Sequence, residues 1–353
     1  MVSKMHVGMI LNSLLPVASN HIFASIVNDL TGSNIEFEVF YFNDSPTQVE
    51  LKCSKKKIRY LEKIPFPNYD IIHTHGPRSA AYMAWYKDSF PGKHIMTMHS
   101  IIRNELASTY NKLFAMIVSP VWLRLARNSE VIVSLNKGMC SEYAALIKGP
   151  WHTFIYNGIP EEIPNDQVDV SDENILRELN TQYKVIGSVA RITPIKGLEQ
   201  AIKFLSIRKD FAYLLIGDGP FLPNLRKMAI NCSVSDRCYF LGHKDKGYRY
   251  LKFMDVFLMS SYSEGFGLAL AEAARAGKSC VCSDIDVFRE IFSENEVTYF
   301  QPGNILSLES SILHAYNTRD VKGTNIYKKF IECYTEHTMV ENYRSLYYSS
   351  IAN

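Results

Sequence analysis

The sequence predicts an α/β protein built from two doubly wound parallel sheets. Short apolar runs end in Gly, Asn, His or Ser clusters and alternate with segments of helical periodicity, which is the pattern of βαβ units. The chain has 353 residues, more than one hydrophobic core usually supports, and the pattern occurs in both halves. Hydrophobic residues make up 47% and charged residues 21%, which excludes a disordered, collagenous or low-complexity chain.

The predicted strands follow the apolar runs of each half in order. In the first half, these runs predict strands over residues 5–11, 36–42, 71–74, 94–98 and 131–134. The second half repeats the pattern at residues 183–189, 213–216, 238–241, 256–259 and 279–282. Two comparable series of strands predict two sheets of the same type.

A segment rich in proline and acidic residues separates the halves. Residues 160–171 suit a connection, so we predict an N-terminal domain over residues 1–165 and a C-terminal domain over residues 166–335. The aromatic segment of residues 328–348 predicts a packing helix, with Tyr334, Met339, Tyr343, Leu346 and Tyr347 on one helical face. We expect residues 336–353 to form a C-terminal helix that crosses back to the N-terminal domain.

The charge and the cysteine content limit which partners and which redox environment we expect for the protein. The 38 Lys and Arg against 36 Asp and Glu leave a net charge of +2, so we expect no nucleic-acid partner. Seven cysteines without a C-x-x-C pair indicate reduced, buried thiols. The sequence shows neither a secretory signal pattern nor a membrane-spanning apolar stretch, so we expect a cytoplasmic protein, with peripheral attachment to the inner face of a membrane left open.

Two segments bear on that attachment. The basic run of residues 52–59 is usually a solvated face, and contact with anionic lipid is the alternative. Residues 113–127 are apolar with late cations, and Pro120 interrupts them. A core or acceptor-groove helix is the favoured interpretation of this second segment, and a helix at a membrane interface is the alternative.

A glycine-rich loop with two carboxylates follows a predicted strand of the second half. Gly265 and Gly267 permit close approach of the backbone to a ligand, and the helix from Leu268 onward presents N–H groups to an anion. Glu264 and Glu272 are separated by 272 − 264 = 8 positions, so they address different parts of one ligand. Carboxylates repel a diphosphate and accept hydrogen bonds from hydroxyls, which indicates a sugar and a ribose. Two ordinary surface carboxylates are the alternative interpretation.

Compensating cations occur upstream. Arg191 follows the predicted strand 183–189, Pro194 fixes a turn, and Lys196 precedes a helical run. An Arg that forks onto phosphate oxygens and a mobile Lys suit a diphosphate leaving group. Solvated loop charges are the alternative.

These motifs together resemble the GT-B glycosyltransferases of family 4, which are retaining enzymes that use nucleotide-activated sugars. The resemblance rests on the E-x7-E element of Glu264 and Glu272, on residues 191–196 and on the motif at residues 215–220, with weaker matches at residues 240–243 and 156–159. It covers most of the second half strongly and the first half loosely. It implies the GT-B fold, in which two Rossmann-like domains face a cleft.

The resemblance also implies roles for individual residues. Arg191 and Lys196 would stabilise the leaving diphosphate, Glu264 would hold donor-sugar hydroxyls, and His99 would lie near the reacting carbon; these four form the implied catalytic group. The implied donor-binding residues are Gly217, Gly242, His243, Gly265, Phe266, Gly267, Leu268 and Glu272. On the acceptor side, the resemblance implies His75 and Asn157.

The implied reaction is departure of a nucleoside diphosphate while the acceptor hydroxyl attacks from the same face, without a protein nucleophile. Electrostatic preorganisation carries such a reaction, so we expect no cofactor and no obligatory divalent ion. The expected donor is a UDP-sugar, with a GDP-sugar as the alternative. The expected acceptor is a hydroxyl of a glycan or glycolipid in cell-surface polysaccharide synthesis.

Histidines mark the strand ends of the first half. We expect His73 and His75 to point to opposite faces of their strand, so that at most one faces a ligand and a metal site is disfavoured. His99 is balanced between a site role and a buried, hydrogen-bonded one. Residues 14–20 replace the Gly-Gly loop that the family usually has after its first strand, which weakens the expected donor contacts from that loop.

Three alternatives to a retaining transferase stay open at this point. One is an inverting transferase with His99 as base, another is a nucleotide-sugar epimerase, and the third is a sugar-nucleotide-binding protein without catalytic activity. Product stereochemistry, acceptor-independent turnover and binding without turnover distinguish them.

Overall fold

A computed structural model describes residues 4–109, 111–162 and 167–352 of the chain. These residues form two compact units. Unit 1 takes the described residues of Met1–Gly158 and Glu336–Asn353, and unit 2 those of Ile159–Thr335. Each unit contains one parallel sheet, as the sequence predicts.

Unit 1 is a doubly wound sheet. Among its described residues the strand order is β3-β2-β1-β4-β5-β6-β7. The strands are β1 (Met5–Ser13), β2 (Ile35–Asn43), β3 (Ser54–Lys57), β4 (Ile71–His75), β5 (Lys93–Met98), β6 (Val131–Ser134) and β7 (Trp151–Phe154). The helices are α1 (Ala18–Leu30), α2 (Pro77–Trp85), α3 (Ile102–Thr109), α4 (Lys112–Ala126) and α5 (Lys137–Leu146).

Unit 2 has the same architecture. Its described residues give the strand order β10-β9-β8-β11-β12-β13. The strands are β8 (Lys184–Val189), β9 (Phe211–Ile216), β10 (Cys238–Phe240), β11 (Val256–Met259), β12 (Ser279–Ser283) and β13 (Val297–Phe300). The helices are α6 (Val170–Gln182), α7 (Glu199–Ile207), α8 (Leu222–Asn231), α9 (Leu268–Arg275), α10 (Asp286–Ile291), α11 (Ile305–Asn317) and α12 (Arg319–Cys333), and α13 (Glu336–Ala352) returns to unit 1.

The ten predicted strands are present, and three further strands complete the sheets. Central strands such as β9 and β12 are buried at every position, which is why their apolar runs are readable in the sequence. β3 consists of Ser54 and three lysines, all exposed, because it is an edge strand. The basic run is therefore partly a strand, which the sequence pattern does not predict.

The C-terminal aromatic face is divided between two helices. Met339, Tyr343, Leu346 and Tyr347 are buried on α13. Tyr334 instead ends α12 and packs in unit 2 against Phe266, at 5.6 Å between ring centroids. The prediction of one continuous face was therefore wrong for Tyr334, because α12 ends at Cys333 and α13 begins only at Glu336.

The chain enters unit 2 at Ile159, whose N–H donates to the Tyr334 carbonyl. The Arg275 guanidinium donates to the carbonyls of Pro160 and Glu162, which holds this segment against α9. Residues 163–166, which include Pro164 and the predicted boundary at residue 165, lie outside the described residues.

The structure bears on two further predictions, one about the cysteines and one about membrane-spanning segments. All seven cysteines are free, but only Cys280 and Cys282 are buried and the others are half-buried. In the part of the chain that the structure describes, every helix is too short or too polar to cross a bilayer.

Candidate functional site

The strand order of unit 2 places its candidate site at the junction of β8 and β11. These strands are neighbours, and the chain winds outward from them in both directions. In open parallel sheets, ligands bind beyond the carboxyl ends of the strands at such a reversal. Lys196 follows β8 and Glu264 follows β11, so the topology brings both loops to this position.

Close backbone packing and hydrogen bonds to backbone carbonyls hold the two loops together. Gly197 adopts φ +60°, and a Cβ there would lie 2.2 Å from the Ser260 carbonyl oxygen. The Ser260 hydroxyl donates to the Lys196 carbonyl at 3.0 Å, and the Gln200 side chain donates to the Ser260 carbonyl at 3.1 Å. The Tyr262 N–H donates to the Ile195 carbonyl at 2.8 Å. The loop after β8 is thereby held in register with the loop after β11.

Lys196 and Glu264 contact each other. Their predicted roles differ, with Lys196 at the leaving diphosphate and Glu264 at the hydroxyls of the donor sugar. The Lys196 ammonium donates to Glu264 Oε1, and the Ser261 hydroxyl donates to the same oxygen at 2.7 Å. The Lys196 and Glu264 side chains are 24% and 11% exposed. This ion pair therefore lies at the surface of the loops with its carboxylate mostly covered, and polar ligand groups can still reach it.

Gly267 opens α9 in the left-handed region, with φ +90°. A Cβ at this position would lie 3.0 Å from the Phe288 ring, so glycine is required here. Phe266 buries its ring against Tyr334, so that only its backbone can serve a ligand. Leu268 is the first residue of α9 and is half-buried, and no side chain of the described residues caps this helix. The positive end of the α9 dipole thus stays available to an anion.

Glu272 lies in the second turn of α9. Burial raises its pKa to about 7, and the nearby Arg275 guanidinium opposes that rise. Arg275 is itself buried and stacks over the Tyr248 ring at 4.8 Å. Glu272 is therefore a carboxyl group that changes protonation near neutral pH, in contrast to an ordinary surface glutamate.

Arg191 is exposed just beyond β8. Its loop is backed by the turn after β9: Gly217 has φ +138°, and a Cβ there would lie 1.9 Å from the Ala190 carbonyl oxygen. Asp218 accepts a hydrogen bond from the Gly219 N–H at 2.7 Å and so stabilises the backbone of this turn. The sequence-predicted Gly217 thus supports the Arg191 loop by close packing.

The last pair of predicted donor residues follows β10. Gly242 has φ +73° and accepts a hydrogen bond from the Gly217 N–H at 2.8 Å. His243 is exposed and lies 3.4 Å from an Asp245 oxygen. These residues belong to the same end of the sheet as Lys196.

Unit 1 has its own cavity at the corresponding reversal, between β1 and β4. The cavity measures about 270 Å³, and its lining includes Asn12, Asn20, His75 and His99. The Asn20 amide donates to the carbonyls of Ser13 and Leu15, which closes the loop that stands where glycines were expected. A side-chain amide therefore supports this loop, a role that the sequence motif did not predict.

His75 and His99 form a pair at the carboxyl ends of β4 and β5. His75 Nδ1 and His99 Nε2 are 2.9 Å apart, so one ring donates to the other. His75 Nε2 is buried and has no hydrogen-bond partner among the described residues. Burial lowers both pKa values, that of His99 to about 4, so the pair is neutral at physiological pH. The cavity thus presents uncharged polar groups.

The prediction that His73 and His75 point to opposite faces was wrong. Residues two apart on a strand share a face, and the two rings lie 4.4 Å apart. His73 Nδ1 is 2.8 Å from the Tyr347 hydroxyl, and His73 Nε2 is 2.8 Å from the Thr97 hydroxyl. His73 is therefore a satisfied core residue, whereas His75 lines the cavity.

Two predictions and one further cavity concern groups outside these clusters. Asn157 is buried beyond β7 in unit 1. The described residues contain no group of three His, Cys, Asp or Glu side chains arranged to hold a metal ion. Unit 2 also has a cavity of about 610 Å³, which includes Asp255 and Lys278 in its lining and lies at the opposite, amino-terminal ends of β11 and β12.

Some site residues were missed by sequence reasoning. Ser260, Ser261 and Gln200 hold the loop pair together, yet each is a common polar residue in an unremarkable context. The only available signal is their position: Ser260 and Ser261 directly follow a buried strand, where parallel sheets present ligand-binding groups.

Family models match both halves of the chain. Residues 172–332 match the model described as glycosyl transferases group 1, and residues 29–163 match the model described as Glycosyltransferase Family 4. Together these matches include every strand of the two sheets except β1.

One curated relative and two solved structures match over nearly the full length. The O-antigen biosynthesis glycosyltransferase WclY of Escherichia coli is 27% identical over 352 residues, covering 97% of this chain and 98% of WclY. Sucrose-phosphate synthase from Thermosynechococcus elongatus superposes with a TM-score of 0.81 at 16% identity, covering 99% of this chain and 100% of the other. HepE from Anabaena, solved in complex with UDP, also gives a TM-score of 0.81 at 16% identity, covering 98% of this chain and 100% of HepE.

Proposed function

Because the chain is a glycosyltransferase with the GT-B fold, of the group 1 and family 4 type, we propose that it is a retaining enzyme specific for a nucleoside diphosphate sugar. The acceptor in this proposal is a hydroxyl of a glycan or glycolipid, and the product belongs to a cell-surface polysaccharide. The similarity to WclY, whose name assigns it to O-antigen biosynthesis, supports this product class.

The observation that carries the proposal is the Lys196–Glu264 pair on two fastened loops at the β8–β11 junction. A diphosphate sugar needs a cation at its phosphates and hydrogen-bond acceptors at its hydroxyls, and this pair offers both at adjacent positions. In the proposal, donor binding separates the pair: the Lys196 ammonium moves to the diphosphate and the Glu264 carboxylate accepts sugar hydroxyls.

The chemistry then consists of one bond exchange at the anomeric carbon. The acceptor oxygen forms its bond from the face that the diphosphate leaves, and the acceptor proton departs with a phosphate oxygen. Negative charge grows on the diphosphate, where Lys196, Arg191 and the α9 N-terminus stabilise it. Because these groups supply positive charge, the proposal requires no divalent ion.

Glu272 is proposed to accept hydrogen bonds from the ribose diol. Its position on α9, eight residues after Glu264, suits the far end of the same nucleotide. UDP is the favoured nucleotide, and the solved complex of HepE with UDP supports that preference. GDP is the alternative.

In unit 1, the neutral cavity with His75 and His99 is proposed to take the hydroxyl-bearing part of the reacting sugars. Neutral imidazoles can donate or accept hydrogen bonds without attracting a second anion. Asn157 is proposed to assist on the acceptor side.

The test begins with thermal shifts for UDP and GDP, because a ligand that binds only the folded state raises apparent stability. The preferred nucleotide is then supplied as a panel of sugar donors with glycan acceptors, and product configuration is determined by NMR. Transfer with retention supports the proposal. An inverted product, or turnover of the donor without any acceptor, contradicts it.

A further inference from the structure

The cavity of about 610 Å³ in unit 2 lies at the edge of the sheet opposite the Lys196–Glu264 pair, where β11 and β12 begin. Its volume is within the range of about 300–1,000 Å³ that is typical of small-molecule sites. We call it the rear cavity. It is lined by Asn180, Lys252, Met254, Asp255, residues 277–279 and one face of α12. The proposed function uses none of these residues.

Close backbone packing holds the walls of the rear cavity. A Cβ at Gly323 would lie 2.2 Å from the Gly277 carbonyl oxygen, so α12 packs directly on the turn between α9 and β12. Gly277 itself has φ +63°, which favours glycine. The Ser279 hydroxyl donates to the Ala315 carbonyl at 2.9 Å and ties the start of β12 to α11. The cavity is therefore preformed by the fold, as small-molecule sites usually are.

Three basic side chains line the rear cavity. Lys278 is half-buried in its wall, where the ammonium donates to the Met254 carbonyl at 3.0 Å. Burial lowers the pKa of Lys278, and the nearby Asp255 carboxylate opposes that change. Lys252 and Arg319 are exposed and line the same cavity. The cavity thus gathers positive charge, part of which is withdrawn from water.

Two carboxylates offset this charge only in part. The Asp255 carboxylate accepts a hydrogen bond from the Val185 N–H at 2.8 Å, which ties it to β8. Asp320 is exposed on α12. Three cations against two carboxylates leave one positive charge in the lining, which favours an anion. A divalent metal ion is disfavoured, because the described residues hold no group of three His, Cys, Asp or Glu side chains suited to one.

Polar and aromatic groups form another part of the lining. Asp320, Thr324 and Tyr327 follow one another at spacings of four and three, so they share one face of α12. Tyr327 is 44% exposed, so its ring offers an apolar surface beside a hydroxyl. Asn180 adds an amide that can donate and accept hydrogen bonds. Hydrogen-bonding groups beside an aromatic ring suit a sugar, which presents hydroxyls at its edge and C–H groups on its faces.

We propose that the rear cavity binds a sugar phosphate. Lys278 and Arg319 would hold the phosphate, since charge-assisted hydrogen bonds to phosphate oxygens are strong. Asp320 and Tyr327 would contact the sugar. Inorganic phosphate alone would leave most of the cavity to water, and a diphosphate would bring more negative charge than the lining balances. A single phosphate on a sugar satisfies both conditions.

The inference goes beyond the proposed sugar transfer, because it concerns the opposite edge of the sheet and assigns no catalytic step to the cavity. Calorimetry on the full chain measures binding of glucose 1-phosphate, glucose 6-phosphate and N-acetylglucosamine 6-phosphate, with and without UDP. We expect at least one of these probes to bind once per chain, about tenfold or more tightly than inorganic phosphate or glucose. Its affinity should be the same with UDP present, so a failure of the proposed function leaves this test intact.

Two substitutions and two controls locate the bound probe. Arg319→Gln should weaken binding about tenfold, because it removes a charge-assisted hydrogen bond. Lys278→Met, which keeps an unbranched side chain in the wall, should weaken binding at least as much. Lys227→Gln is the matched control, an exposed lysine of α8, and should bind as the wild type does. Lys196→Ala should also bind as the wild type does, because Lys196 lies at the other edge of the sheet.

Several results would overturn the inference. They are affinities for all three probes no higher than for inorganic phosphate, wild-type binding by Arg319→Gln, or an equal loss in Lys227→Gln. Competition by UDP together with lost binding in Lys196→Ala would assign the probe to the β8–β11 junction instead. Thermal unfolding checks the folding of each variant, and Arg319→Gln, at an exposed position, decides the outcome if Lys278→Met does not fold.

Discussion

The two units share a topology and differ in the electrostatics of their strand ends. Unit 1 places neutral histidines at the β1–β4 junction, whereas unit 2 places an ion pair and a carboxyl of raised pKa at the β8–β11 junction. Both positions follow from strand order. The difference teaches that the doubly wound sheet fixes where a ligand binds, while the loop residues decide which chemistry is bound.

The largest expected effect concerns the charged junction of unit 2. We expect Lys196→Ala to lower kcat about 100- to 1,000-fold, because in the proposed function it removes the cation that stabilises the charge developing on the diphosphate. The matched control is Lys203→Ala, an exposed lysine of α7. Steady-state kinetics with the preferred donor measure both, and wild-type turnover in Lys196→Ala would remove this residue from the mechanism.

We expect acidic pH to destabilise unit 1 more than unit 2. In unit 1, burial lowers the pKa of His94 from 6.5 to about 4. As the pH falls, His94 is therefore protonated in the unfolded chain before it is protonated in the folded one. The stability from this group is present above pH 6.5 and is lost as the pH falls toward 4, by about 3 kcal/mol at 1.4 kcal/mol per unit. His73 and His99 shift in the same direction. In unit 2, the raised pKa of Glu272 acts oppositely, since its stability contribution is lost as the pH rises from 4.5 to about 7.

Hydrogen exchange resolved by peptide measures this difference at pH 7 and below pH 5. We expect peptides of unit 1 to lose protection at acidic pH before those of unit 2. Earlier opening of unit 2 would contradict the assignment of the acid-sensitive groups.

Substitutions at two glycines test whether stability depends on the close backbone contact between the loop after β8 and the loop after β11. Gly197→Ala and Gly242→Ala both place a side chain at positive φ, which costs about 1–2 kcal/mol. Only at Gly197 does the new Cβ meet backbone, 2.2 Å from the Ser260 oxygen, so we expect this variant to be less stable by a further ~2 kcal/mol. Urea unfolding measures the difference, and equal values would show that the loops can separate freely.

The smallest expected effect is a pH dependence of nucleotide binding. In the proposed function, ribose hydroxyls donate to the Glu272 carboxylate, so binding should release a proton and weaken by up to about tenfold per pH unit below about 7. Calorimetry with UDP at pH 6 and pH 8 compares the wild type, Glu272→Gln and the exposed control Glu178→Gln. The titration of UDP is common to all three, so only Glu272→Gln should show a flatter profile. Parallel profiles would place the diol elsewhere.

The sequence predicted strands wherever burial on both faces left a continuous apolar run. It missed β3 because an exposed edge strand of lysines has no apolar pattern, and it missed the short strands β7 and β13. It also misjudged Tyr334, because two helices that follow each other closely continue one apparent periodicity.

Candidate site residues were predicted by type and position, and their contacts were not. Lys196 and Glu264 are 68 positions apart, and their contact depends on β8 and β11 being neighbours. His75 and His99 meet in the same way, because β4 pairs with β5 in the register that sets His75 opposite Thr97. Local patterns carry no information on such pairings.

The sequence by itself determined the fold class, the series of buried strands and the residue types of both loops, because these depend on neighbouring residues along the chain. Only the tertiary structure decided that Lys196 pairs with Glu264, that Glu272 is buried enough to titrate near neutrality and that α4 turns its large apolar residues outward. Those outcomes depend on strand order and on which face of an element is covered, and these are properties of the assembled chain.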